Sequence, residues 1–296
     1  MNPKIPANPL AEMISTLDLK AIENSTSNED LFEGPSQWMP HGRVFGGQVL
    51  AQSLVAATRT IDNREVHSMH GYFLRPGDIN LPITFSVDRL RDGRSFSTRR
   101  VQAFQKDEAI FSMIASFQEH DPGLDHQDEF PTGIPEPESL PSAADLIGDN
   151  PHPVAQYWSK ARPFDMRHVP SPIYFKVEGE PVAHQAVWLR SLGKLPDSQA
   201  LHTAALAYAS DYSILESIYR RHGIAWSHPG LKSASLDHAM WFHRPARVDQ
   251  WMLYVQESPS AQGGRGLALG KIFSSRGELL ATVAQEGMVR VPQLAG

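Results

Sequence analysis

The 296-residue sequence contains no cysteine, which excludes disulfides, thiolate-bound zinc and a cysteine nucleophile. It contains no apolar run near the ~18–20 residues that a bilayer-crossing helix needs. The opening Met-Asn-Pro-Lys-Ile-Pro lacks the apolar core of a secretion signal, and the closing Gln-Leu-Ala-Gly is not a Ser-Lys-Leu-type peroxisomal address. The expected setting is therefore the cytoplasm. Familiar catalytic signatures are missing too: there is no Gly-x-Ser-x-Gly elbow, no Walker-type phosphate loop and no His-Glu-x-x-His zinc motif. Gly264-Arg265-Gly266 with Gly270 is a fragment of a dinucleotide fingerprint, but it lies between expected strands with no helix following. Positive charge is not in excess either. A formal net charge of −6 argues against a general nucleic-acid or anionic-membrane surface, while leaving room for a local basic pocket.

What the chain does have is internal repetition. Val66-His67-Ser68-Met69-His70-Gly71-Tyr72-Phe73-Leu74-Arg75-Pro76 is echoed by Ser235-Leu236-Asp237-His238-Ala239-Met240-Trp241-Phe242-His243-Arg244-Pro245. Both end aromatic-Phe-x-Arg-Pro at the same offset, 169 (241 − 72 and 244 − 75). That offset also carries Phe104 onto Phe273 and Phe111 onto Leu280, so a duplicated unit is expected. Between the copies, prolines recur at 122, 131, 135, 137, 141, 151, 153, 163, 170 and 172. This density predicts an irregular connector with at most short helices, too long for a loop inside one compact unit. The expected division is 1–120, a linker over 121–172, and 173–296.

Periodicity supplies the elements. A helix is expected over roughly Pro9 to Ile22, then a polar loop, then a short strand at Leu31–Gly34. After Gly46-Gly47, apolar residues at 49, 50, 54, 55 and 57 follow a helical period. Strands are expected over Val66–Phe73, Pro82–Leu90, Ser95–Gln105 and Ala109–Phe117, with turns at Asp92-Gly93 and Lys106-Asp107-Glu108. The second half repeats the plan: strands at Ile173–Val177 and Ala183–Arg190, a helix over Leu201–Arg220, then strands at Ser235–His243, Trp251–Glu257, Gly266–Ser274 and Leu279–Gln285, with a turn at Arg276-Gly277.

Among residues able to do chemistry, Asp211 stands out in an otherwise apolar helix. A carboxylate there either bonds locally or works as a base. Gly46-Gly47 is open to two readings as well, a tight turn for close packing or bare N–H groups at a positive helix end that receive a carbonyl oxygen or an anion. On the Ser235–His243 strand, alternation places Ser235, Asp237 and His243 on one face and His238 on the other. Asp237 and His238 are thus not expected to act as a pair, and both histidines are read as core or interface residues. Gln285 falls opposite Ser116 and Ser235 opposite Val66, which favours one working site assembled mainly from the second copy.

Taken together, His41-Gly42-Arg43-Val44-Phe45-Gly46-Gly47-Gln48-Val49-Leu50-Ala51-Gln52, Tyr72–Asp78, Leu90–Phe96, Asp237–Pro245 and Gln285-Glu286-Gly287 resemble bacterial acyl-CoA thioesterase II, the double hot-dog thioesterase family. The resemblance runs from about residue 30 to 291. It implies an α+β chain of two fused hot-dog folds, each a long helix wrapped by an antiparallel sheet. It implies hydrolysis of acyl-CoA to fatty acid and CoA, with no metal or bound cofactor and no nucleic-acid partner. It also implies that Asp211, Ser235 (Thr in the relatives) and Gln285 hold and activate the attacking water. Arg43, Arg75, Arg94 and Arg244 are candidates for CoA contacts, and a homodimer or homotetramer is expected. A hot-dog enoyl-CoA hydratase and a non-catalytic acyl-CoA-binding protein are the alternatives.

Overall fold

The computed structural model describes residues 5–23 and 30–291. Most of the polar loop expected after the first helix, and the closing tetrapeptide, lie outside the described residues. The first copy comprises α1 (Pro9–Leu17), β1 (Lys20–Ile22), β2 (Asp30–Gly34), α2 (Gly46–Thr58), β3 (Glu65–Phe73), β4 (Ile83–Asp92), β5 (Phe96–Gln105) and β6 (Glu108–Gln118). Then follow the short helices α3 (Ala143–Ile147) and α4 (Pro153–Gln156), the latter running into a π turn at Tyr157–Ala161. The remainder is β7 (Phe164–Val169), β8 (His184–Ser191), α5 (Gln199–Ser210), α6 (Glu216–Arg221), β9 (Lys232–Ser235), β10 (Asp237–Phe242), β11 (Met252–Gln262), β12 (Arg265–Ser274) and β13 (Leu279–Arg290).

Local chemistry explains the principal elements. Asn8 caps α1 by accepting the Ala11 N–H at 3.0 Å, and Pro9 fills the first helical position, where an N–H has no partner to lose. In β4, Ile83, Phe85 and Val87 are buried while the residues between them are not, the two-residue period of a sheet with one face inward. Lys106 and Asp107 both take positive φ (49° and 65°), making the two-residue turn whose twist suits a hairpin.

All strands join one antiparallel sheet in the order β1-β2-β4-β5-β6-β3-β10-β13-β12-β11-β8-β7, with β9 alongside β13. The order reads the same from either end about the β3–β10 seam. There Met69 faces Met240 and Gly71 faces His238. An offset of 169 carries each of these pairs into the other, as a two-fold axis between copies requires. The sheet wraps α2 and α5, which pack side by side. The chain is thus α+β, two hot-dog units sharing one sheet. Leu50, Leu54, Phe85 and Phe111 are almost wholly buried beneath it, each contributing about 1.5–3 kcal/mol from the removal of apolar surface from water. Gln48 and Gln52 are buried on α2 as well. They donate to the Pro35 carbonyl, each at 3.0 Å, so the segment leading to Gly46 is tied down by its own helix.

Several expectations need correction. The first helix ends at Leu17, and Lys20–Ile22 pairs with β2 instead. The connector over 121–172 ends in a strand, β7, that pairs with β8 as the outermost strand of the second copy. Ile173–Val177 is not a strand: the carbonyls of Ile173 and Tyr174 accept from Trp226 and Ser227, so this stretch docks on a loop. The helix expected over Leu201–Arg220 breaks after Ser210. The Tyr254 hydroxyl donates to the Ser210 carbonyl at 3.1 Å, occupying the acceptor that another helical turn would use. The offset also changes by one in the last strand. Leu74 and His243 donate to the carbonyls of Ile110 and Leu280 respectively, so Leu280 matches Ile110 rather than Phe111. The hairpin before β13 is one residue longer than its counterpart: Phe273 pairs Leu279, whereas Phe104 pairs Ala109. Among the described residues no helix is long and apolar enough to cross a membrane.

Candidate active site

The break after Ser210 leaves Asp211 as the residue capping the C-terminus of α5. A helix C-terminus disfavours a negative charge, but the N-terminus of α2 meets it from the other copy, and the Gly47 N–H donates to the carboxylate. Both readings of the glycine pair therefore apply, and the anion received is the chain's own Asp211. A Cβ on Gly46 would lie 2.5 Å from Asp211 Oδ2, and one on Gly47 would strike the Tyr208 carbonyl. Phe45, just before the pair, stacks on Tyr212 with ring centroids 4.7 Å apart, holding the two helix ends together.

Ser235 arrives by an irregularity. Ser235 pairs Gly287 and Ala239 pairs Ala284, so four steps on one strand match three on the other: a β-bulge at Leu236. Without the bulge, alternation would put Ser235 and His238 on opposite faces. With it, both reach Gln285. The Ser235 hydroxyl donates to Asp211 Oδ1 at 3.2 Å, and Gln285 Nε2 donates to Ser235 Oγ at 2.8 Å. The Gln285 amide also helps to support the Asp211 anion. The three side chains expected from the sequence thus form one hydrogen-bonded run. Asp237 points away from it and accepts the Glu286 N–H at 2.6 Å.

The run opens on a cavity of about 670 Å³. Phe45, Phe73, Tyr157, Trp158, Leu215 and Trp226 give it apolar walls, with Asp211 and Ser235 among them, and His41, Arg43 and Arg75 also line it. Burial against these walls deprives Asp211 of water and raises its pKa to about 6, although bonds from Gln285, Ser235 and Gly47 pull the other way. Above that pH the group is a carboxylate of raised basicity, suited to accept a proton from water. Of the four arginine candidates, Arg43 and Arg75 line this cavity. Arg244 lies at a different, smaller one, where it pairs with Asp125 at 2.6 Å, and Arg94 lies at neither. Among the described residues no three His, Asp or Glu side chains gather as a cation site. Sequence reasoning missed two contributors, the Gly47 N–H as a partner of Asp211 and His238 as a partner of Gln285. Strict strand alternation hid the second.

Two fused hot-dog units that place one carboxylate–hydroxyl–amide run on an apolar cavity define the chain as a double hot-dog protein of the thioesterase kind. Comparison with known proteins narrows this. The family model described as "Acyl-CoA thioesterase N-terminal domain" matches residues 34–118, and the one described as "Acyl-CoA thioesterase" matches residues 159–288. Acyl-coenzyme A thioesterase 8 of Homo sapiens is 39% identical, over 97% of this chain and 93% of its own. Acyl-CoA thioesterase 2 of Haemophilus influenzae is 38% identical, over 95% and 98%. The crystal structure of the acyl-CoA thioesterase II TesB2 from Mycobacterium marinum superposes with a TM-score of 0.76 at 42% identity, covering 96% of this chain and 99% of that one. The chain belongs to the acyl-CoA thioesterase family.

Proposed function

We propose that this protein hydrolyses acyl-CoA to a free fatty acid and CoA, using Asp211 as a general base on water. The supporting observation is the run Gln285–Ser235–Asp211 at 2.8 and 3.2 Å, with its carboxylate end on the cavity. The acyl chain lies against the apolar walls, and Arg43 and Arg75 are placed to meet anionic groups of CoA. A water held at the cavity wall by Asp211 and Ser235 faces the thioester carbon, with Gln285 fixing both side chains from behind, and holding the water there removes much of the entropic barrier. As the water oxygen bonds to that carbon, Asp211 takes its proton and the carbonyl oxygen becomes an oxyanion. When the tetrahedral intermediate collapses, the C–S bond breaks, the fatty acid is released, and the departing sulfur takes the proton from Asp211. No covalent enzyme intermediate is needed.

The test is the release of free thiol from acyl-CoA, read with a thiol reagent. The wild-type enzyme should release thiol in step with fatty acid, and Asp211→Asn should be almost inactive while folded. A folded Asp211→Asn enzyme with near-normal turnover would sink the assignment of the base. A homodimer or homotetramer in the cytoplasm belongs to the same proposal. Its support is the exposure of Tyr72, Ile114 and Trp241 on three adjacent strands, and light scattering on the purified protein tests the assembly.

A further inference from the structure

Gln285 can serve the site only in one orientation, because its amide has a donating and an accepting end. The direction of the run is set from Asp211. Once ionised, Asp211 only accepts, so the Ser235 hydroxyl spends its single proton on Asp211 Oδ1. Ser235 Oγ must then accept from Gln285 Nε2. This turns Gln285 Oε1 away from the cavity, and Oε1 needs a donor. His238 Nδ1 lies against it. The His238 ring is fully buried, and its other nitrogen, Nε2, lies 2.9 Å from Ser210 Oγ, a hydroxyl set between that nitrogen and the Ala207 carbonyl 2.8 Å away. Among the described residues no other polar side chain is bonded to the ring.

We propose that His238, carrying its proton on Nδ1, is a positioning residue that locks the Gln285 amide with its NH2 toward Ser235 and Asp211. The inference rests on the Asp211–Ser235–Gln285 reading above. The ring touches no substrate; it acts through Gln285. Were the amide to turn over, Oε1 would face Ser235 and Asp211. Ser235 would then give its proton to the amide, and Asp211 would lose a donor and gain a neighbouring oxygen of like polarity. Burial holds the ring neutral, its pKa lowered to about 4, so it keeps one donating and one accepting nitrogen throughout the working range. The Ser210–Asp211 dipeptide thus grips both ends of the run: its hydroxyl meets the ring that fixes the amide, and its carboxylate meets the water. Loss of the Nδ1 donor should therefore lower turnover and leave substrate binding nearly untouched.

Two measurements test this. In the wild-type enzyme labelled with 15N-histidine, the His238 ring should show a protonated Nδ1 and a bare Nε2 at neutral pH. The opposite tautomer overturns the inference and needs no variant to be seen. In steady-state assays, His238→Leu should lower kcat by about 10- to 100-fold with KM within about twofold, while His238→Asn, which offers an amide N–H, should recover part of the loss. In the Gln285→Ala background, His238→Leu should change kcat by less than about twofold, since the group it positions is already gone. A folded His238→Leu enzyme with wild-type kcat, or one whose loss persists undiminished in the Gln285→Ala background, refutes the positioning role. Failure of the underlying reading looks different: an active Asp211→Asn enzyme, whatever the His238 tautomer.

Discussion

The two copies share an equivalent bulge, yet only one carries the carboxylate–hydroxyl–amide run. In the first copy Val66 pairs Phe117 and Ser68 pairs Ser116, a bulge at His67 equivalent to the bulge at Leu236. The side chains around it differ. Val66 stands at the place of Ser235 and Met69 at that of His238. With the extra residue before β13 taken into account, Ala115 stands at the place of Gln285, not Ser116. After α2, where the second copy has Asp211 at the cap, stands Arg59, which turns to Asp18 at 2.7 Å and to the Leu19 carbonyl. The cavity on that side is about 300 Å³ against about 670 Å³. The geometry that re-aims a strand is present in both copies, whereas the side chains of the run are present in only one. The first copy still reaches this run, because the glycine start of its helix supplies the N–H that meets Asp211.

The contrast can be broken most sharply at the base. Asp211→Asn should lower kcat by about 10²–10⁴-fold, the usual share of a general base, when thiol release is followed at saturating acyl-CoA. Gln285→Ala, which makes the second copy resemble the first at that position, should cost about 100-fold in kcat through loss of the donor that holds Ser235 and Asp211 in place. Ser235→Thr keeps the hydroxyl and should stay within about threefold of wild type, its stiffer side chain holding one rotamer. The dependence on pH follows from the raised pKa: kcat/KM should climb about tenfold per unit below pH 6 and level off above it, as Asp211 becomes the carboxylate.

The same shift makes a statement about stability. The folded-state pKa, about 6, lies above the ordinary 3.8, so the folded protein binds the proton more tightly than the unfolded chain. Its contribution is fully present below about pH 4 and is lost as pH rises through about 6. Asp211→Asn lacks that loss. The variant should gain about 2–3 kcal/mol relative to wild type between pH 4 and pH 8 in denaturant unfolding, one pKa unit corresponding to ~1.4 kcal/mol. Last and smallest, Ser116→Ala in the silent copy should alter turnover by less than about twofold. A large loss there would show that the first copy does more than lend a helix end.

Much of this was legible in the chain. The repeat points to the duplication and the glycine and charged turns to the hairpins, and Asp211, Ser235 and Gln285, expected together from the family resemblance, lie in one hydrogen-bonded run. The errors have a common origin, in that they fall where a distant group outweighs local pattern. Tyr254 stops a helix that periodicity would continue. A single added residue in a hairpin moves Gln285 from the place of Ser116 to that of Ala115. A bulge carries Ser235 to the face of His238.

The sequence by itself determined the two units and the period of most strands, because these depend on neighbours within a few positions along the chain. Only the tertiary structure decided that the start of one copy's helix abuts the end of the other's, that a bulge turns a serine inward, and that a buried histidine faces the amide. Register and inter-helix contact are fixed by packing between segments far apart in the chain, and no local pattern records them.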